Sequence, residues 1–183
     1  MITTSLKKIF ECGSWLHDTP EFTTLMKAYG KTYQTIDDNP IPFSDIERLT
    51  NLTYSIDCTS SRSDCEKIWR SFALWCASQL QAYINEASCQ ESITTAAKYL
   101  ANQASFQEIC EIFEKSSRAA IRSEPYRSVH YYANQLASHV SNPTVDHCIS
   151  DSFNTYALGM FELGQEINDS EILQRVKFLQ LIE

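Results

Sequence analysis

The stretch Asp64–Glu86, DCEKIWRSFALWCASQLQAYINE, decides the fold class. Trp69, Ala73, Cys76, Leu80 and Tyr83 recur at steps of four, three, four and three, and Ile68, Phe72 and Trp75 form a row beside them. An apolar arc this broad on a helical period requires packing on two sides, so the stretch reads as a central helix. Lys67, Arg70, Ser78, Gln81 and Asn85 fall on the remaining polar strip.

Helical signals continue to either side. Thr19-Pro20-Glu21 combines an N-cap residue with proline at the first helical position, and predicts a helix from about Pro20 to Ile36, stopped before Asn39-Pro40-Ile41-Pro42. Capping-box spacing occurs at Ser44–Glu47, Ser63–Glu66 and Ser105–Glu108. Phe106, Ile109, Cys110, Phe113, Ala120 and Ile121 make one face of a further helix. Val129, Tyr132, Ala133, Leu136 and Val140 give the next stripe, and Ile149, Phe153, Tyr156, Met160, Leu163 and Ile167 another. The last is Ile172, Val176, Leu179 and Leu181–Ile182, after the polar break Asn168-Asp169-Ser170. Thr50–Cys58 is the weakest helical segment, and no window alternates as a half-buried strand does. The expectation is an all-α protein: a single compact helical domain spanning residues 1–183, with eight or nine helices packed as hairpins or as a short repeat-like array. Tyr99–Gln103 (YLANQ) echoes Tyr131–Gln135 (YYANQ), and the long helix starts near 64, 106 and 144 are spaced by about 40, which are the internal signs of a repeat.

Composition removes several function classes. There are 15 basic against 23 acidic residues, a net charge of −8, which is the wrong sign for gripping nucleic acid. No apolar run is long enough to span a bilayer, and Met1–Glu11 lacks the apolar core of a secretory signal. Seven widely spaced cysteines without a C-x-x-C pair fit a reduced, cytoplasmic protein, and only Cys58 and Cys65 have a spacing that invites a bridge. His17, His130, His139 and His147 form no metal-ligand spacing, and the four isolated glycines form no phosphate loop, so neither metal nor cofactor is expected. Gly159 and Gly164 both fall inside the helical pattern, where close helix packing accounts for them.

Charge distribution supplies the positive clue. No Lys or Arg occurs from Ser128 to Gln174, while Asp151, Glu162, Glu166 and Asp169 fall there. On one continuous helix Asp151, Glu162 and Glu166 lie opposite the apolar stripe, with Asp169 nearby, as an uncompensated acidic ridge. Tyr131 points away from its own core stripe, as an aromatic anchor at an interface would. The implied function is a non-catalytic protein-binding module of immunity or inhibitor type, which neutralises a basic, toxin-like protein partner through an acidic helical face. Two alternatives remain. One is a helical-repeat adaptor holding a peptide or helix in a groove; the other is an all-α enzyme whose pocket gathers His130, His139, Tyr131 and the Arg118, Arg122, Arg127 patch.

Overall fold

The structure, a computed structural model, describes residues 2–12, 14–60, 65–123 and 125–182. Among these the chain is all-α, with eleven α-helices, one 3-10 turn and one two-stranded β-pair of two residues per strand. Its contacts divide it into two compact units, residues 1–62 with 179–183, and residues 63–178.

In the first unit the helices are short: α1 (Leu6–Cys12), α2 (Ser14–His17), α3 (Pro20–Ala28), α4 (Phe43–Leu49) and α5 (Leu52–Ser60). These raise the helix count above the expected eight or nine. β1 (Thr3–Thr4) pairs antiparallel with β2 (Ile41–Pro42), Thr3 opposite Pro42 and Thr4 opposite Ile41. Leu6, Ile9, Phe22, Leu25, Phe43 and Ile46 are its buried core. Thr19 caps α3 as expected, its hydroxyl oxygen accepting the Phe22 N–H at 3.1 Å, with Pro20 in the first turn. The helix ends at Ala28, however, and does not reach Ile36. Gly30 takes a left-handed conformation at φ 63°, and the Lys31 and Gly30 N–H groups close onto the Met26 and Lys27 carbonyls. Ser44 is not a cap: α4 begins one residue earlier, at Phe43, with Pro42 in the capping position and no side-chain capping bond. The weakest sequence segment is helical, as α5.

The second unit contains α6 (Glu66–Gln79), α7 (Ala87–Leu100), α8 (Phe106–Arg122), α9 (Val129–His139), α10 (Val145–Glu162) and most of α11 (Ile167–Ile182). Successive helices α7, α8, α9 and α10 pack as hairpins, and α6 packs against α7, α9 and α10. Its side chains Trp69, Phe72, Ala73 and Cys76 are fully buried, as a helix packed on more than one side requires. It is shorter than the Asp64–Glu86 pattern implied. A 3-10 turn at Gln81–Tyr83 follows it, which frees Ile84 and Asn85 to turn the chain into α7. Ser63 and Asp64, two of the four residues of the expected capping box, lie outside the described residues. The Ser105 box is present, with the Ser105 side chain accepting from the Glu108 N–H and the Glu108 carboxylate accepting from the Ser105 N–H.

Arg70 departs from the expected polar strip: it is fully buried. Its Nε donates to Glu66 at 2.8 Å, and its Nη1 donates to the carbonyls of Val140 and Asn142 at 3.2 and 2.9 Å. Arg70 thereby caps the carboxyl end of α9, where helix carbonyls lack intrahelical donors. Of the face expected to pack in α8, Ile109 and Ala120 are buried, whereas Phe106 and Ile121 are exposed and Ile112 and Ser116 are buried in their place. Cys58 and Cys65 are buried thiols, not a disulfide.

Candidate functional site

A groove of about 590 Å³ opens between α9, α10 and the turn that precedes α9. Tyr126 and Arg127 come from that turn, Tyr131, Tyr132 and Gln135 from α9, and Thr155, Leu158, Phe161 and Glu162 from α10. Ser128 fixes the start of α9, its hydroxyl oxygen accepting the Tyr131 N–H at 3.2 Å. That cap sets the rotation of the helix and turns Tyr131, Tyr132 and Gln135 to one side. Gly159 sets the separation of the two walls. A Cβ at that position would stand 2.4 Å from Leu80 Cδ1 and 3.3 Å from Tyr132 Cβ, so α10 approaches this closely only through glycine. Of the two glycines expected in this helix, Gly159 is thus explained by close packing. Gly164 is not within a helix: at φ 80° it ends α10, with the Gln165 and Gly164 N–H groups on the Met160 and Phe161 carbonyls.

The rings in the groove are ordered by one another. Tyr126 meets Tyr131 edge to face at 4.8 Å, and Tyr131 meets Tyr132 edge to face at 5.5 Å. The Arg127 guanidinium lies 5.4 Å from the Tyr126 ring centroid. Arg127 has a left-handed backbone at φ 62°, a strained conformation for a side chain of this size. A side-chain hydrogen bond to Tyr126 raises the Arg127 pKa, and burial followed by its tyrosine neighbours raises that of Tyr131. The phenol is therefore a neutral donor at physiological pH. Tyr126 is 66% exposed and Phe161 56%, so two large apolar rings stand in water at the mouth. Glu162 closes the opposite end, and is exposed. It occupies the last turn of α10, which carries no basic residue, so its charge opposes the negative end of the helix dipole.

Of the residues expected at the site, Tyr131 and Glu162 meet in the groove. The other three acids do not join them. The Asp151 carboxylate faces Nδ1 of His139 at 3.8 Å. Glu166 and Asp169 lie beyond the Gly164 turn: the Glu166 carbonyl accepts the Asp169 N–H, and Asp169 is in the first turn of α11. The continuous ridge on one helix is therefore divided among α10 and the start of α11, where the dipole favours acids for stability alone. Sequence reasoning missed Tyr126 and Phe161, and weighed Arg127 only with Arg118 and Arg122 in the pocket of the enzyme alternative; of those three arginines the groove takes Arg127. Phe161 and Glu162 directly precede the helix end, which a Gly164 read as a stop would have shown.

The histidines lie elsewhere. His130 Nδ1 is 2.8 Å from the Tyr83 carbonyl, to which it donates, and His139 is held against Asp151. Neither lines the groove. Asn134, adjacent to the groove in sequence, points inward and is fully buried. Its Nδ2 donates to Asn85 Oδ1 at 2.6 Å and Ser123 Oγ at 2.7 Å, and its Oδ1 accepts the Glu86 N–H at 3.3 Å, where α7 begins. Burial raises the thiols of Cys89 and Cys148 to about 12, far from a reactive thiolate. Among the described residues no cluster of His, Cys, Asp and Glu is arranged to hold a metal ion, and no helix is long and apolar enough to cross a membrane. No protein-family model matches the chain, and neither a curated protein nor a solved structure does.

Proposed function

We propose that the chain is a protein-binding module of inhibitor or immunity type, and that the α9–α10 groove receives a segment of a partner with a basic surface. The observation that carries this reading is the exposure of Tyr126 and Phe161 around the edge-to-face tyrosines, with Glu162 at the rim. Tyrosine and arginine in a preformed concavity are the residue types that dominate binding energy at protein interfaces. Glu162 sits where it opposes its own helix dipole, so a charge partner from outside gives it a purpose that local stability does not. The buried, unbridged thiols suit the reducing cytoplasm as the site of action. The repeat-adaptor reading has less support. Tyr99–Gln103 ends a helix, with Asn102 left-handed at φ 58°, whereas Tyr131–Gln135 begins one, so the echo is not a structural repeat. The enzyme reading loses its pocket, because His130 and His139 do not face the groove.

Affinity capture with the wild-type chain and with the triple variant Tyr131→Ala, Phe161→Ala, Glu162→Lys tests the proposal. The expected result is a basic-surfaced protein held by the wild type and lost from the variant, with an affinity that falls as salt rises. A partner held equally by both chains would show that the groove is not the contact surface.

A further inference from the structure

α11 is built inside out. Its inward positions in the second unit are Ser170, Gln174 and Phe178, at successive i, i+4 steps, all fully buried. Phe178 stacks on Trp69 at 5.2 Å and meets Phe72 edge on, while Gln174 Nε2 donates to the Phe153 carbonyl at 3.0 Å. The outward positions are the apolar ones: Ile172 is 57% exposed, Leu173 46% and Val176 50%. The sequence stripe Ile172–Val176, expected to face the core, is thus turned to solvent, and two polar side chains are buried in its place. A helix gains nothing from this arrangement on its own, since each exposed aliphatic leaves apolar surface in water that burial would remove.

The charges beside this face say what covers it. Asp169, Leu173 and Lys177 follow one another at i, i+4, i+8 along one flank of the apolar strip. Leu173 is their midpoint. If a second α11 lies antiparallel with its Leu173 at the same level, each Asp169 stands against the other copy's Lys177, on both sides of the twofold axis. Among the described residues neither Asp169 nor Lys177 has an ion-pair partner within the chain. A parallel pair would instead set acid against acid and base against base.

We infer that the outward face of α11 is the contact through which two copies of the chain associate antiparallel, with Ile172, Leu173 and Val176 in the seam and reciprocal Asp169–Lys177 pairs at its edge. Such an interface is isologous, as closed dimers require. One helix face is small beside standard interfaces, so the association belongs in the micromolar range. This contact is separate from the α9–α10 groove and does not depend on the reading given to it.

Sedimentation equilibrium of the full chain across the micromolar range, at low salt, tests this. The wild type is expected to pass from monomer to dimer. Leu173→Glu with Val176→Glu should remain monomeric with an unchanged far-ultraviolet spectrum, because both side chains already stand in water. Asp169→Lys should weaken the dimer several-fold, and Asp169→Lys combined with Lys177→Asp should restore it, because the reversed pairs are again complementary. A wild type that stays monomeric throughout, including one that holds a different protein on this face, overturns the proposal, as does a dimer indifferent to Leu173→Glu with Val176→Glu. A double reversal no better than the single one overturns the antiparallel register.

Discussion

His139 is subject to two opposed influences. Burial lowers its pKa below the ordinary 6.5, and the nearby Asp151 carboxylate works to raise it. Burial is the larger, because at 3.8 Å, and with Asp151 partly in water, the attraction is screened. In the unfolded chain the imidazole takes a proton near its ordinary pKa; in the fold it does so only at lower pH. Stability from this site is therefore complete above about pH 6.5 and is lost as the pH falls from there through the depressed folded value. A proton NMR titration should show His139 titrating below the ordinary value, and lower still in Asp151→Asn. An apparent pKa above 6.5 would show that the carboxylate, not burial, governs the ring. The role of such residues was hardly legible beforehand. The sequence places His139 near the end of a helical stripe, but periodicity cannot say that α10 brings Asp151 across from it. Arg70 was misread for a related reason. An arginine on a polar strip is ordinary, and only the fold shows that this strip meets the carboxyl end of α9.

At the scale of elements, what was legible were the helix bodies and some of their starts; what was not were the ends. Thr19 and Ser105 cap as their sequences say, because an N-cap is a local contract between a side chain and the backbone three residues on. Gly30 and Gly164 were read through, although each ends a helix by the same two backbone bonds. A single glycine in a periodic pattern has two readings, a packing contact or a left-handed stop, and only the three-dimensional surroundings separate them. Gly159 is the packing case, and the groove depends on it. Gly159→Ala should cost about 1–3 kcal/mol, as expected when a methyl group is forced into a filled contact, here against Leu80 and the Cβ of Tyr132. The urea midpoint measures this, and partner affinity should drop with it as α10 moves from α9. A substitution that leaves the midpoint unchanged would mean that Leu80 reorients freely and that the close approach is not what holds the groove walls. The two-residue strands were illegible for a plainer reason: two residues carry no period, and β1 and β2 are separated by α1, α2 and α3.

For the whole molecule, the net charge of −8 has two consequences of opposite sign. Self-repulsion of the excess acids opposes the compact state and is screened by salt. The ion pairs that favour the fold are mostly partly or largely exposed, as at Lys7–Asp38, Lys31–Asp37 and Arg118–Glu114. Exposed pairs of this kind contribute little each, so repulsion among the uncompensated charges should govern the response to salt. Moderate sodium chloride should therefore raise the urea midpoint of the isolated chain. In the complex proposed for the α9–α10 groove the same salt should weaken binding, because there the excess acid meets a basic surface and screening removes attraction. The two measurements on one protein separate a surface that is acidic for solubility from one that is acidic for a partner. If salt raises the midpoint and leaves partner affinity untouched, the charge serves the former alone, and the groove binds through its tyrosines and Phe161 without help from Glu162. If salt lowers the midpoint, these ion pairs outweigh the repulsion, and the distribution of charge along the chain, with no Lys or Arg from Ser128 to Gln174, matters less than the pairs formed outside that span.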